Sequence, residues 1–276
     1  MIYFIDIEEA NPLDLDADEQ EIGVCCADFY NHPIIVKLLD GIFHPGGLAL
    51  SKLMVDRLGL TSNDTLLDIA CGDGNTASYL AKKMGIQVSG IDVGEGMIET
   101  AIKRSKSMRV EDQTDFRVAL ASKIPYEANS FNAIISECAL CTFVDKDAAL
   151  LEIIRVLKPN GIVGLNDVTV QDQDALDEEL RGLLGKVACV ADALSSKGYV
   201  DLFSRYGFKP ISSSVHSNLL GDMACKAKTR ARFFRDVGEE QETNSKMDEA
   251  VRLIGMIEKQ IESGNIGYEM FIFQAK

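Results

Sequence analysis

The chain has 276 residues, 46% of them apolar, and sets 28 Lys and Arg against 43 Asp and Glu for a net charge of −15. That balance argues against a nucleic-acid partner, whose affinity comes mostly from Lys and Arg neutralising phosphates. No apolar run approaches the ~20 residues of a membrane span and the acidic N-terminus lacks the basic start of a signal peptide, so the expectation is a cytoplasmic chain without a membrane partner.

At ~150 residues per domain, one catalytic domain with accessory segments fits this length. Residues 1–60 read as an N-terminal arm and cap helices: an apolar patch at 2–5 and an acidic stretch, a helix over 24–39 carrying Cys25, Cys26, Phe29 and Tyr30, the turn 41–47 with His44, and a helix ending at Leu58. The core spans 61–216. It opens with the strand 66–69, a glycine turn, the helix 75–84, a strand closing at Asp92, and the helix 94–105. A third strand and its loop occupy 116–126, and 130–136 reads as a buried fourth strand. The helix 145–157 has Ala148, Leu151, Ile154 and Leu157 at helical spacing. Lys158-Pro159-Asn160-Gly161 should stop it, and 162–168 is the fifth strand. Residues 171–194 form an amphipathic cap segment within the core, 217–263 a helical insertion, and 264–276 the last strand. Alternating strands and helices imply parallel strands with right-handed crossovers and a ligand at their carboxyl ends.

The first turn reads Asp68-x-Ala70-x-Gly72-x-Gly74, with Asp92 at the end of the next strand. Gly72 and Gly74 let backbone approach a ligand closely, and the Asp92 carboxylate can accept two hydrogen bonds from the vicinal hydroxyls of a ribose. A dinucleotide site would read G-x-G-x-x-G; here Ala77 stands near the third glycine, and Asp68 and Asp73 disfavour a pyrophosphate. The pattern resembles the first motif of class I S-adenosylmethionine-dependent methyltransferases, a resemblance that covers residues 45–216, and residues 138–157, 161–168 and 185–193 resemble the type 11, arsenite-methyltransferase-like members. That resemblance implies an α/β, Rossmann-like fold: a seven-stranded, mostly parallel sheet with an antiparallel last strand, plus a helical cap. It implies S-adenosylmethionine as cofactor, leaving as S-adenosylhomocysteine, held by Asp68, Ala70, Gly72, Gly74, Asp92, Val93, Met97, Leu120, Ala121 and Ser136.

The acceptor must come from what covers the sheet. Of seven cysteines, Cys71 lies in the turn, Cys138 and Cys141 follow the fourth strand, and Cys25, Cys26, Cys189 and Cys225 fall in the covering segments. Thiolates converging on one pocket would select a soft acceptor such as arsenite. Cys138 and Cys141 would then carry the chemistry, with Cys25, Cys26, Cys189 and Tyr30 as substrate contacts. The alternative for each cysteine is simple packing, since free cysteine is commonly buried. Cys138-x-x-Cys141 without a second pair is not a zinc site, so no metal is expected. An oxygen, nitrogen or carbon acceptor would need a base, with His44, Glu137, Tyr30 and Asp167 as candidates. A non-catalytic adenosylmethionine-binding regulator and a dehydrogenase are the readings from other classes. The expected partner is a small molecule, and the expected state is a monomer or homodimer.

Overall fold

The computed structural model describes residues 19–182, 185–186, 188–237 and 241–276, so the predicted arm up to residue 18 lies outside the described residues. Seven strands form one sheet: β1 Thr65–Ile69, β2 Gln87–Asp92, β3 Thr114–Val118, β4 Phe131–Glu137, β5 Leu157–Val170, β6 Lys209–Val215 and β7 Ile266–Gln274. Their order is β3-β2-β1-β4-β5-β7-β6. β1 to β5 pair in parallel, and β7 runs antiparallel to both β5 and β6. The chain winds outward from β1 in both directions, so the tips of β1 and β4 bound the crevice where open α/β sheets bind ligands.

The helices are α1 Glu19–Asn31, α2 Pro33–Leu39, α3 Gly47–Leu58, α4 Asn75–Met84, α5 Glu95–Met108, α6 Lys146–Val156, α7 Glu178–Arg181, α8 Ser196–Arg205, α9 Ser217–Val237 and α10 Gln241–Glu262. Both sheet faces are covered. In β1, Leu66 joins the core that contains Met54, Leu80 and Tyr268, while Leu67 and Ile69 face Tyr199, Phe203 and Phe273. β7 alternates likewise, Tyr268, Met270 and Ile272 against Phe271 and Phe273. The period of two puts successive side chains into opposite cores, which is why these strands are apolar throughout. Phe203 of α8 stacks on Phe273 at 4.0 Å between ring centroids.

Three elements differ from the sequence expectation. The single helix over 24–39 is two, broken at His32: proline disfavours helical backbone in the residue before it, and His32 is extended (φ −65°, ψ 130°), its ring accepting the Ile34 N–H. The predicted face of α6 is one position out. Ala149, Leu150, Ile153 and Val156 are buried, whereas Leu151 is 58% exposed. Both stripes recur at helical spacing, and docking on the sheet selects between them. Finally β5 begins at Leu157, earlier than expected, but its pairing with β4 jumps from Phe131–Leu157 to Ala133–Ile162. The predicted turn is thus a bulge in the strand, with Asn160 left-handed at φ 62°.

α9 and α10 pack on each other and onto α2, burying Leu38, Ala231 and Met247 together. Arg230 of α9 donates to the Leu38 carbonyl at 3.1 Å and to Asp40 at 2.8 Å. α1 lies across the turn after β2, where a Cβ on Gly94 would come within 2.8 Å of the Ala27 Cβ. N-terminal helices and the helical insertion therefore form one cover over the carboxyl ends of the strands.

Candidate active site

The site starts from the turn after β1. Ala70 and Gly72 are left-handed, at φ 60° and 53°, and a Cβ on Gly72 would meet nothing within 4 Å. The Asp92 carboxylate pins this turn to the next one, accepting the Gly72 N–H at 2.9 Å and the Gly94 N–H at 2.9 Å. Burial raises the Asp92 pKa, against the pull of those backbone donors. Gly74 has another role. At φ 69° it begins α4 with its Cα against α5, where a Cβ would lie 2.6 Å from the Ala101 Cβ.

Two cavities adjoin at this turn. The smaller, about 150 Å³, is lined by Gly72, Asp92, Val93, Met97, Leu120 and Ala121 on the sheet side. Cys26, Tyr30, Phe43 and Cys189 close it from the cover, and Cys138 from the end of β4. The larger, about 580 Å³, contains Asp68, Asn75, Thr76 and His44, with Asp222 and Lys226 of α9 at its rim. Phe43, Ala70, Gly72 and Glu137 line both. Of the predicted cofactor residues, Asp68, Ala70, Gly72, Asp92, Val93, Met97, Leu120 and Ala121 are thus on cavity walls, while Gly74 and Ser136 line neither of the two. Ser136 is buried in β4 with its hydroxyl unpaired, one residue out of phase with Glu137.

Besides Asp92, the carboxylates of Asp68 and Glu137 face this crevice. Asp68 is 3% exposed with its Oδ2 unpartnered, and burial, Glu137 and Asp92 push its pKa well up. Glu137, at the tip of β4, is the best held. Its Oε2 accepts from Ser51 at 2.8 Å and Thr76 at 3.2 Å, and its Oε1 from Asn166 at 2.8 Å. His44 Nε2 lies 3.6 Å from the same Oε2, while His44 Nδ1 is buried without a partner. Sequence reasoning proposed His44 and Glu137 separately and missed Ser51 and Asn166. Asn166 had a signal: it and Asp167 are the polar residues within the otherwise apolar run 162–168, and buried polar groups are bonded to something.

On the other side of Glu137 three thiols meet. The Cys189 sulfur is 3.7 Å from the Tyr30 hydroxyl and 3.3 Å from the Cys138 carbonyl oxygen, and it receives hydrogen bonds from the Cys138 and Cys141 thiols. The carbonyl contact favours a protonated Cys189. The donors outnumber it, and hydrogen bonds from Cys138, Cys141 and Tyr30 hold Cys189 well below the usual thiol range. Its neighbours move the other way. Cys138 rises because its proton is shared with Cys189 and because it is desolvated, and Cys141 and Tyr30 rise chiefly by burial. Asp167, beneath them, accepts the Cys141 N–H at 3.0 Å and the Val168 N–H at 2.8 Å. Burial, reinforced by Cys189, brings its pKa to about 7.

The remaining cysteines separate from this group. Cys26 lines the smaller cavity; Cys71 is buried against β2, where burial raises its pKa; Cys225 is exposed on α9 and joins no pocket described here. The side chain of Cys25 lies outside the described residues. The expected convergence of all covering segments is therefore partial: the thiols that meet are Cys138, Cys141 and Cys189. Among the described residues no group of three or more side chains is arranged to hold a metal ion.

Residues 60–205, more than half of the chain, match the family described as methyltransferase domain. The chain belongs to this methyltransferase family. Its strand order and antiparallel β7 agree with the class I S-adenosylmethionine-dependent fold that the resemblance implied. Among curated relatives, an uncharacterized Haemophilus influenzae protein is 27% identical over 191 residues, covering 67% of this chain and 74% of that one. The methyltransferase GfsG of Streptomyces halstedii is 32% identical over 125 residues, 45% of each chain. The methyltransferase domain thus matches under half the length of GfsG. Among solved structures, the [4+2]-cyclase SpnF superposes with a TM-score of 0.73 at 21% identity, covering 93% of this chain and 96% of that one. Haemonchus contortus phosphoethanolamine N-methyltransferase 2 gives 0.74 at 20% identity, covering 91% of this chain and 60% of that one. At such identities the likeness establishes fold, and a fold shared by a cyclase and an N-methyltransferase leaves the acceptor to be argued from the site.

Proposed function

We propose that this chain transfers a methyl group from S-adenosylmethionine to a small thiophilic acceptor held at Cys138 and Cys189. The observation that carries the reading is the meeting of the Cys138, Cys141 and Cys189 thiols and the Tyr30 hydroxyl beside the cavity lined by Asp92.

The residues fit the cofactor. Asp68, Asp92 and Glu137 give the crevice a negative potential suited to a sulfonium and an ammonium, and the unpartnered Asp68 Oδ2 offers a buried acceptor. Asp92 would take the ribose hydroxyls, Met97, Leu120 and Ala121 would bound the adenine, and Ala70 and Gly72 would let the backbone approach. When bound, the cofactor supplies an electrophilic methyl group. The protein's task is then positioning, since a trivalent arsenic lone pair needs no general base. Each thiol that captures arsenite forms an As–S bond as an As–O bond breaks, and the thiol proton leaves with the hydroxyl as water. Cys189, held toward its thiolate, begins that exchange.

A second reading rests on the other side of Glu137. His44, with Nε2 toward Glu137 and a buried unpartnered Nδ1, forms a dyad able to take a proton from an oxygen, nitrogen or carbon acceptor in the larger cavity. Adenosylhomocysteine release from the reduced protein, with and without arsenite, separates the two. Arsenite-dependent turnover lost in Cys138→Ser and Cys189→Ser supports the thiol site. Cofactor binding without any arsenite response refutes it, and loss of another turnover in Glu137→Gln then points to the dyad.

A further inference from the structure

Among the described residues, seven other than glycine have left-handed backbone: Asp40, Ala70, Arg109, Asn129, Cys138, Asn160 and Cys189. Most have a local reason. Asp40 and Arg109 close helices α2 and α5, and asparagine tolerates this region better than other residues. Ala70 belongs to the turn after β1. Cys189 closes a helical turn as Arg109 does, the Val190 N–H bonding the Gly185 carbonyl at 2.7 Å. Cys138 has no such reason and its backbone is strained. The Cys189 sulfur lies 3.3 Å from the Cys138 carbonyl oxygen, and both residues line the smaller cavity. Cys138 ends β4, its N–H tied to the Asn166 carbonyl at 2.7 Å; Cys189 belongs to the cover, its N–H bonded to the Lys186 carbonyl at 3.0 Å. The strained end of β4 and the helix cap in the cover thus bring two thiol-bearing residues together on the wall of the smaller cavity, placed as a nucleophile and a resolving partner.

We infer that Cys189 and Cys138 form a reversible disulfide when a peroxide enters this cavity, tying the cover to the tip of β4 and closing the acceptor site. The bond depends on thiol geometry alone, and its effect on turnover rests on the function proposed above. In the first step the Cys189 thiolate attacks a peroxide oxygen: an S–O bond forms, the O–O bond breaks, hydroxide leaves, and the sulfur becomes a sulfenic acid. In the second, Cys138 sulfur attacks Cys189 sulfur, the S–S bond forms, the S–O bond breaks, and the hydroxyl leaves as water with the Cys138 proton. A small dithiol reverses it by two exchanges, becoming a disulfide itself. Cys141 is the weaker partner, because it lines neither of the two cavities. Asp92 and Met97 lie on the sheet side of the cavity, so the closed form keeps its cofactor contacts.

The test treats the reduced full-length protein with hydrogen peroxide, blocks remaining thiols, and maps crosslinked peptides by mass spectrometry in wild type, Cys141→Ser and Cys138→Ser. A crosslink to Cys189 is expected in wild type and in Cys141→Ser, absent from Cys138→Ser, and removed by dithiothreitol. Adenosylhomocysteine release should fall with crosslinking and return with dithiothreitol, while adenosylmethionine binding persists. A crosslink from Cys189 to Cys141, or irreversible oxidation of Cys189 without one, overturns the proposal. The map on wild type decides even if a variant fails to fold. A mapped bond with no methyl transfer to any acceptor would sink the proposed function instead.

Discussion

Replacing Asp92 by Ala tests whether one carboxylate both shapes the turns and holds the cofactor. The side chain accepts two backbone N–H groups at 2.9 Å, and hydrogen bonds to a charged group contribute about 1.5–3 kcal/mol each. Part of that gain is offset by burying the carboxylate, as its raised pKa records. The free protein should therefore lose on the order of 2 kcal/mol of folding stability rather than the gross sum. A ribose contact adds a separate loss in the complex of about 1–3 kcal/mol, a factor of roughly 5–150 in Kd. Calorimetric titration with adenosylmethionine, alongside urea unfolding of the free protein, reads both quantities. Asp92→Asn should fall between, since its amide can accept from one turn but opposes the N–H of the other with a donor. If Asp92→Ala loses stability yet binds adenosylmethionine within about twofold of wild type, the ribose assignment is wrong and the carboxylate is a structural brace.

Three further outcomes follow from the same geometry. Gly74→Ala puts a Cβ 2.6 Å from the Ala101 Cβ at φ 69°, combining left-handed strain with overpacking, and should lower stability by about 2–4 kcal/mol in urea unfolding. Asp167 has a folded pKa of about 7 against an ordinary 3.8, so the native state holds a proton that the unfolded chain releases. Its contribution is fully present below the unfolded pKa and is lost as pH rises through about 7, on the order of 4 kcal/mol across the window. Asp167→Asn removes that slope, so the stability difference between wild type and variant should change between pH 5 and pH 8; a constant difference would contradict the raised pKa. Tyr30→Phe deletes a donor to Cys189, so the pH midpoint of Cys189 alkylation, followed by peptide mass spectrometry, should move up; an unmoved midpoint would remove Tyr30 from the thiol network.

Local chemistry determined more of the fold than of the site. The strand alternation, the turn 68–74 and the acid at the end of β2 are short-range patterns, each dictated by backbone geometry within a few residues, and they sufficed for the class of fold. Where two local solutions were degenerate, tertiary contacts chose: α6 has two apolar stripes, and the sheet took the one with Leu150 and Ile153. At Pro33 the break was legible, because the preceding residue is sterically barred from helix. The thiol site was not. Cys138 and Cys189 are 51 residues apart, and cysteine shows no sign in sequence of a left-handed backbone. The same holds for Glu137, whose partners Ser51, Thr76 and Asn166 come from α3, α4 and β5. The amino-acid sequence alone thus determined the sheet, its switch point and the glycine turn after β1, which depend on neighbours along the chain. Only the tertiary structure decided which thiols meet and which carboxylates keep an open lone pair, because those depend on how distant segments pack over the strand tips.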